Sequence, residues 1–362
     1  MKPSLIIIPF SSLIGDVCDY SDQTIKILNK KGHQVLGVAL GNPISIYHDF
    51  LGVMRGDFII KKSSKNHVLK PVMFLPFQRL EFIKRINFII NIFIINFVFA
   101  KTKKTKIMWF FEPKYGKTFL SFLKKDLSIY DCVDYFSGDK NLKKENEYVI
   151  KNSDKVFVNS LTLENMYSSL REDIKKVPLG FHIPKNNFKT LRKSTKNKAI
   201  CFIGSIGDRI DLNFLKRAIK TRNKDDFIFI GPIKMSPQRK KVFLKLLENK
   251  RAYWLGEVSK NELLKLVSSF DIGLIPYKKT LFNINSFPMK VMEYFYLGMP
   301  IISSNIKELE RFNDHVYFPE KDGWKDLNDF LKKSEDKSVE KKKIALMNSW
   351  YKKVSLILQC LG

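Results

Sequence analysis

Cysteine is scarce in this chain: four in 362 residues, Cys18, Cys132, Cys201 and Cys360, with no C-x-x-C spacing among them. That excludes a disulfide framework and a thiolate zinc site, and it fits a reducing compartment. Acidic residues are also few, 36 against 64 Lys and Arg, for a formal charge of +28. Long apolar runs are missing as well. The longest, Ile86–Ala100 (INFIINIFIINFVFA), falls short of the roughly 20 residues a spanning helix needs. It is broken by Asn87, Asn91 and Asn96. Those asparagines recur at near-helical spacing, so the segment is expected to be a mostly buried amphipathic helix, packed in the core or also touching the bilayer. At the amino terminus, Leu5–Pro9 is an apolar run of strand length, too short for the hydrophobic region of a signal peptide. A cytoplasmic protein is expected.

What is present is a globular composition, 44% hydrophobic and 28% charged, in a chain long enough for two domains that each bury a core. The positive charge is not gathered in one place. Residues 1–184 hold 28 Lys and Arg against 17 Asp and Glu, and residues 185–362 hold 36 against 19. With no concentrated basic stripe and no nucleic-acid-binding motif, a nucleic-acid partner is not expected. A diffuse basic surface does attract anionic lipid headgroups and pyrophosphate-bearing substrates.

Short apolar runs alternate with amphipathic stretches. Leu5–Pro9 reads as a strand, followed by a loop through Gly15, a helix over Ser21–Lys31 stopped at Gly32-His33, and a strand over Gln34–Leu40. Lys106–Phe111, Ser128–Cys132, Lys155–Asn159 and Lys176–Leu179 are further strand candidates. Residues 183–198 are polar and basic and read as a linker. The alternation then restarts, with strands at Ala199–Ile203, Phe227–Ile230, Ala252–Leu255, Asp271–Pro276 and Pro300–Ser303. Helices are expected at Leu212–Lys220, Val242–Leu247, Lys260–Ser268 and Met289–Leu297. This is an α/β pattern of two doubly wound, Rossmann-like domains facing a central cleft. The domains are placed at 1–184 and 185–338, with an amphipathic stretch, 339–362, crossing back onto the first.

Three segments of the second half carry chemistry. Ile203-Gly-Ser-Ile-Gly-Asp-Arg-Ile-Asp-Leu212 sets glycines between a strand and a helix, where backbone N–H groups can approach a phosphate. Phe229-Ile-Gly-Pro232 is followed by Trp254-Leu-Gly-Glu-Val258. Ser286-Phe-Pro-Met-Lys-Val-Met-Glu-Tyr294 leads into Gly298-Met-Pro300 and a strand. In this order, with Asp271–Pro276 between them, the segments resemble the donor-binding domain of bacterial GT-B glycosyltransferases. The branch is the one related to glycosyltransferase family 4 and to exopolysaccharide and capsule glycosyltransferases. The likeness runs over about 110 continuous residues, 199 to 308. In the first half Tyr130-Asp-Cys-Val-Asp134, Val156-Phe-Val-Asn-Ser160 and Val177-Pro-Leu-Gly180 match more weakly.

The resemblance implies a nucleotide-sugar donor, UDP-linked, with the leaving diphosphate stabilised by cationic side chains and helix starts, so that no metal or other cofactor is required. The absence of any D-x-D triplet agrees with that plan. Lys290 would contact the diphosphate, and Glu293, on the same helical face, the ribose hydroxyls. Ser286 and Met289 would border the phosphates, Gly204, Ser205 and Gly207 would permit close approach, and Trp254 to Glu257 would border the base. Retaining family members usually carry a second glutamate eight positions before the one matching Glu293. That position is Asn285 here, so the retaining mechanism does not carry over and the stereochemistry stays open. An inverting enzyme needs a general base beside the acceptor hydroxyl. Asp134, just past a strand end, is the candidate, with Glu112 in reserve and His182 as a further acceptor-side residue.

These residues point to a peripheral enzyme on the inner face of the plasma membrane. It would add a sugar to a capsule, exopolysaccharide, lipopolysaccharide or O-antigen glycan on a lipid-linked acceptor. The Ile86–Ala100 helix, with the basic runs near it, would help dock that acceptor at the bilayer. A sugar-nucleotide epimerase or hydrolase, or a catalytically degenerate scaffold, uses the same fold.

Overall fold

In the computed structural model the apolar runs become the central strands of two parallel sheets. The structure describes residues 2–10, 20–40, 44–45, 59–63, 66–76, 80–136, 140–184 and 197–361. The loop through Gly15 and most of the linker expected over 183–198 lie outside those residues. The chain packs as two units, Met1–Gly180 with Trp350–Gly362, and Phe181–Ser349.

The first unit holds an eight-stranded sheet. Its strands are β1 (Leu5–Phe10), β2 (Gln34–Ala39), β4 (Ile59–Ser63), β5 (Asn66–Leu69), β7 (Lys106–Phe110), β8 (Leu127–Cys132), β9 (Lys155–Val158) and β10 (Lys175–Lys176). A separate short parallel pair joins β3 (Ile44–Ser45) to β6 (Val72–Met73). The large sheet runs in the order β10-β9-β8-β7-β1-β2-β5-β4. All its pairings are parallel except β4 with β5. Every residue of β1 is buried, as expected of a parallel strand covered on both faces. The strand expected over Lys176–Leu179 is limited to Lys175–Lys176, because Pro178 has no N–H to extend the ladder.

The helix expected over Ile86–Ala100 forms at Glu81–Val98. It is not a mostly buried helix, since only Asn87, Asn91, Ile92 and Ile95 are buried along it. The asparagines take the inward positions because they satisfy backbone groups that would otherwise be stranded. The Asn91 carboxamide accepts from Val72 N–H at 2.7 Å and donates to Val72 O at 2.8 Å. Asn87 accepts from the N–H groups of Phe74 and Leu75, each at 2.9 Å, and donates to Leu75 O at 3.0 Å. Side chains four residues apart thus stand in for a missing neighbouring strand.

The stretch 338–361 is two helices, Ser338–Met347 and Trp350–Gln359, and the second packs against the Tyr20–Lys30 helix of the first unit. Its Trp350 ring lies over Gly180, where a Cβ would come within 2.3 Å of the indole. Lys353, 2% exposed, donates to the Asp131 carboxylate at 2.8 Å, and Asp131 is wholly buried.

The second unit has a six-stranded, all-parallel sheet of order β15-β13-β11-β16-β17-β18. The strands are β11 (Ala199–Ile203), β13 (Asp226–Ile230), β15 (Ala252–Trp254), β16 (Ile272–Ile275), β17 (Ile301–Ser303) and β18 (Val316–Tyr317). A small parallel pair, β12 (Ile206–Gly207) with β14 (Ile233–Lys234), lies beyond the ends of β11 and β13. The helices Leu212–Thr221, Pro237–Leu246, Lys260–Val267 and Lys290–Tyr296 connect the strands. Both sheets are doubly wound, and each unit has its own hydrophobic core.

Candidate functional site

In the second unit the chain works outward from β11 to β13 and β15, then returns to β16 on the other side. In doubly wound sheets ligands bind at this reversal, beyond the carboxyl ends of the strands. Here β11 ends at Ile203-Gly204 and β16 at Ile275, with Pro276 and Tyr277 following. The third contributor is the Lys290–Tyr296 helix, pinned to β11 by one side chain. The Tyr294 hydroxyl donates to Cys201 O at 2.9 Å and accepts from Ile203 N–H at 3.2 Å. The ring has room only because residue 273 is glycine, since a Cβ there would sit 2.3 Å from it. Complete burial pushes the Tyr294 phenol well above its ordinary pKa. The tyrosine of the P-x-K-x-x-E-Y segment is therefore a bracket that fixes where Lys290 begins.

Lys290 reaches back over the reversal. Its amino group donates to the Tyr277 hydroxyl at 2.9 Å and lies 5.1 Å from the Phe202 ring centroid. A Cβ on Gly204 would come within 2.9 Å of that amino nitrogen, which the flexible lysine could yield, but Gly204 has φ +102°, so the backbone favours glycine. A second cation, Arg209, approaches the same tyrosine. Its guanidinium carbon is 4.7 Å from the Tyr277 centroid and 4.6 Å from that of Phe282, and Nε donates to Asn283 Oδ1 at 2.7 Å. Among the described residues no carboxylate forms an ion pair with Lys290 or Arg209. Two cations gathered on one buried aromatic make a site that favours an anion.

The remaining glycines line the ends of adjacent strands. Gly231 (φ +132°) abuts Gly204, where a Cβ would lie 2.3 Å from Gly204 O, and its N–H donates to Gly256 O at 2.7 Å. Gly207 has ordinary space, its nearest neighbour being Lys234 O at 3.4 Å. Trp254 is held by an Nε1–H bond to Gly231 O at 2.9 Å, with its ring 43% exposed. That leaves a flat apolar face open in place of a core aromatic. Ser205 and Glu257 are exposed. Ser286 is buried and its hydroxyl has no hydrogen-bond partner among the described residues, while Met289 and Glu293 are half-buried on either side of Lys290.

One expectation for the glycine loop does not survive. The start of the Leu212–Thr221 helix is not open to a phosphate, because the Asp211 carboxylate already accepts from the N–H groups of Asn213 and Phe214, each at 2.9 Å. The anion-attracting role in this loop falls to Arg209. Asn285 is buried and donates to Leu281 O at 2.7 Å, so its amide serves the local backbone.

Asp134 and Glu112 belong to the first unit. Asp134 is half-buried two residues past the end of β8, and its carbonyl accepts from the Cys132 thiol at 3.4 Å. That thiol is fully buried, which pushes its pKa up to about 12 and leaves it inert. Glu112 is exposed after β7, and His182 is exposed at the start of the second unit. Among the described residues no cluster of three or more His, Cys, Asp or Glu is placed to hold a metal ion. Sequence reasoning missed Tyr277, Arg209 and Asn283. Arg209 stood inside the glycine segment and Tyr277 directly after Pro276, but nothing in chain order shows that they meet.

Two doubly wound units in one chain, each built on a largely parallel sheet, make the GT-B architecture. Residues 184–345 match the family described as glycosyl transferases group 1. The chain is 27% identical over 236 residues to TuaH of Bacillus subtilis (strain 168), a protein assigned as a teichuronic acid biosynthesis glycosyltransferase. The match covers 58% of each chain, so it spans little more than half of TuaH's length. Among solved structures, the sucrose-phosphate synthase of Thermosynechococcus elongatus superposes with a TM-score of 0.69 at 14% identity, covering 99% of this chain and 98% of that one. Anabaena HepE, solved in complex with UDP and glucose, gives 0.65 at 12% identity and 99% coverage of both. These likenesses show the fold.

Proposed function

We propose that this protein transfers a sugar from a nucleoside-diphosphate sugar, with UDP as the nucleotide, to a lipid-linked glycan acceptor of the cell envelope at the inner face of the plasma membrane. The observation that carries the reading is the pair of cations on Tyr277. In glycosyl transfer the glycosidic bond to the β-phosphate breaks as the acceptor oxygen bonds the anomeric carbon, and negative charge grows on the departing diphosphate. Lys290 and Arg209 supply the compensating charge from fixed positions, without a metal in the scheme. Gly204 lets the diphosphate approach β11, Ser286 offers it a buried hydroxyl, Glu293 accepts from the ribose hydroxyls, and the open face of Trp254 stacks on the base. Asp134 is the general base that takes the proton of the acceptor hydroxyl. The relation to TuaH and the UDP complex of HepE support a cell-envelope product and a UDP-linked donor.

Calorimetry with UDP and UDP-sugars tests the donor site. Wild-type protein is expected to bind UDP, and Lys290→Ala and Arg209→Ala each to weaken binding by roughly 10- to 100-fold, as loss of a charge-assisted hydrogen bond requires. Well-folded wild-type protein that binds no nucleotide would overturn the proposal.

A further inference from the structure

The Glu81–Val98 helix turns its asparagines into the protein and its largest apolar side chains into solvent. Phe82 is 63% exposed, Ile86 40%, Phe93 56% and Phe97 83%. Their spacings of four, seven and four residues put them on a single stripe of the helix. Phe122, also exposed, extends the stripe sideways, its ring centroid 6.3 Å from that of Phe93. Soluble proteins rarely leave a contiguous apolar ridge of this kind uncovered.

We infer that this ridge is a membrane-docking surface and that its occupant is an anionic lipid bilayer. Charge selects that occupant. From Phe82 to Lys106 the chain carries six Lys and Arg and no Asp or Glu, and Arg85, Lys101, Lys103 and Lys104 are exposed. On the neighbouring loop, Lys124 is exposed beside Phe122, and its N–H donates to Asn96 Oδ1 at 2.8 Å. An apolar stripe bordered by cations matches acyl chains beneath anionic headgroups. Lys84 is paired with Glu81 at 2.9 Å, and a second copy of the chain would bring the remaining excess of cations toward each other.

Geometry selects how the helix lies. No helix among the described residues is long and apolar enough to cross a membrane. Asn87, Asn91 and Asn96 are also tied to backbone groups at 72–75 and 122–124. The helix therefore stays on the protein and lies along the interface, with its aromatic stripe sunk about 5–10 Å into the headgroup boundary. This deepens the reading above by naming the surface that carries the enzyme to a lipid-linked acceptor.

Vesicle flotation of the full chain decides the matter, with UDP binding measured on the same preparations as the fold control. Wild-type protein is expected to float with phosphatidylcholine vesicles containing about a third phosphatidylglycerol, and far less with phosphatidylcholine alone or at high salt. Phe93→Ser combined with Phe97→Ser is expected to lower partition about tenfold or more with UDP binding unchanged. Wild-type protein that binds UDP but not the anionic vesicles overturns the inference. So does a double variant that floats as wild type, or one that floats as wild type while losing a dimer seen by sedimentation. Vesicle binding without UDP binding would uphold this surface and refute the donor reading, so the two fail separately.

Discussion

Gly273 and Tyr294 show how a single position sets the site. The glycine lies in the middle of a buried strand, where it weakens packing, and its role is visible only in the ring that fills the space. Adding one methyl group at 273 would force the Tyr294 ring off Cys201 and Ile203 and move the helix that carries Lys290. Gly273→Ala is expected to destabilise the second unit by about 1–3 kcal/mol, the usual cost of overpacking, and to weaken UDP binding as well. Thermal unfolding together with calorimetry checks this. An alanine variant with unchanged melting temperature and unchanged UDP affinity would mean that Tyr294 does not set the helix position. Gly204 differs, since it combines a positive φ with contact to the Lys290 amino group, so a substitution there acts on backbone and cation together.

At the scale of elements, strands were the legible part of the sequence. Runs such as Leu5–Phe10 and Ala199–Ile203 are apolar on both faces, as only interior parallel strands are, and they lie within a residue or so of where the pattern puts them. The short, polar β4 and β5 carry no such signal and were not foreseen. The Glu81–Val98 helix is far less buried than its sequence implied, for a physical reason. A periodic row of asparagines marks the outer face of a helix when water is its partner, and here the partner is unpaired backbone at 72–75. The candidate site was half legible. Lys290 and the glycines followed from their spacing, but Arg209 and Tyr277 are joined by the β11–β16 adjacency, which chain order does not reveal. Asn91→Leu tests the inverted helix. It would strand the N–H and C=O of Val72 in a buried setting and is expected to cost about 1–3 kcal/mol, though it makes the helix more apolar. Chemical denaturation would read the loss, and a variant more stable than wild type would contradict this account of the asparagines.

On the scale of the whole chain, the first unit is discontinuous in sequence, since it takes Trp350–Gly362 from the far end. The Trp350–Gln359 helix is tied there by Trp350 against Gly180 and by Lys353 on Asp131, which also brings the lysine within 3.4 Å of Val177 O. Burial pushes the Asp131 carboxyl up and the adjacent ammonium draws it back down. Removing one partner leaves a buried charge uncompensated, a change that costs about 3–5 kcal/mol, whereas removing both costs far less. Lys353→Met is therefore expected to unfold the first unit well before wild type does, and Asp131→Asn in the same chain to recover most of the loss. Neither residue lies in Phe181–Ser349, so UDP binding near room temperature should be retained in both variants. Differential scanning calorimetry with and without UDP separates the effects, because ligand raises only the transition of the unit that binds it. If Lys353→Met lowered the UDP-sensitive transition instead, the carboxyl-terminal helix would be supporting the donor-binding unit, and its assignment to the first unit's core would be wrong.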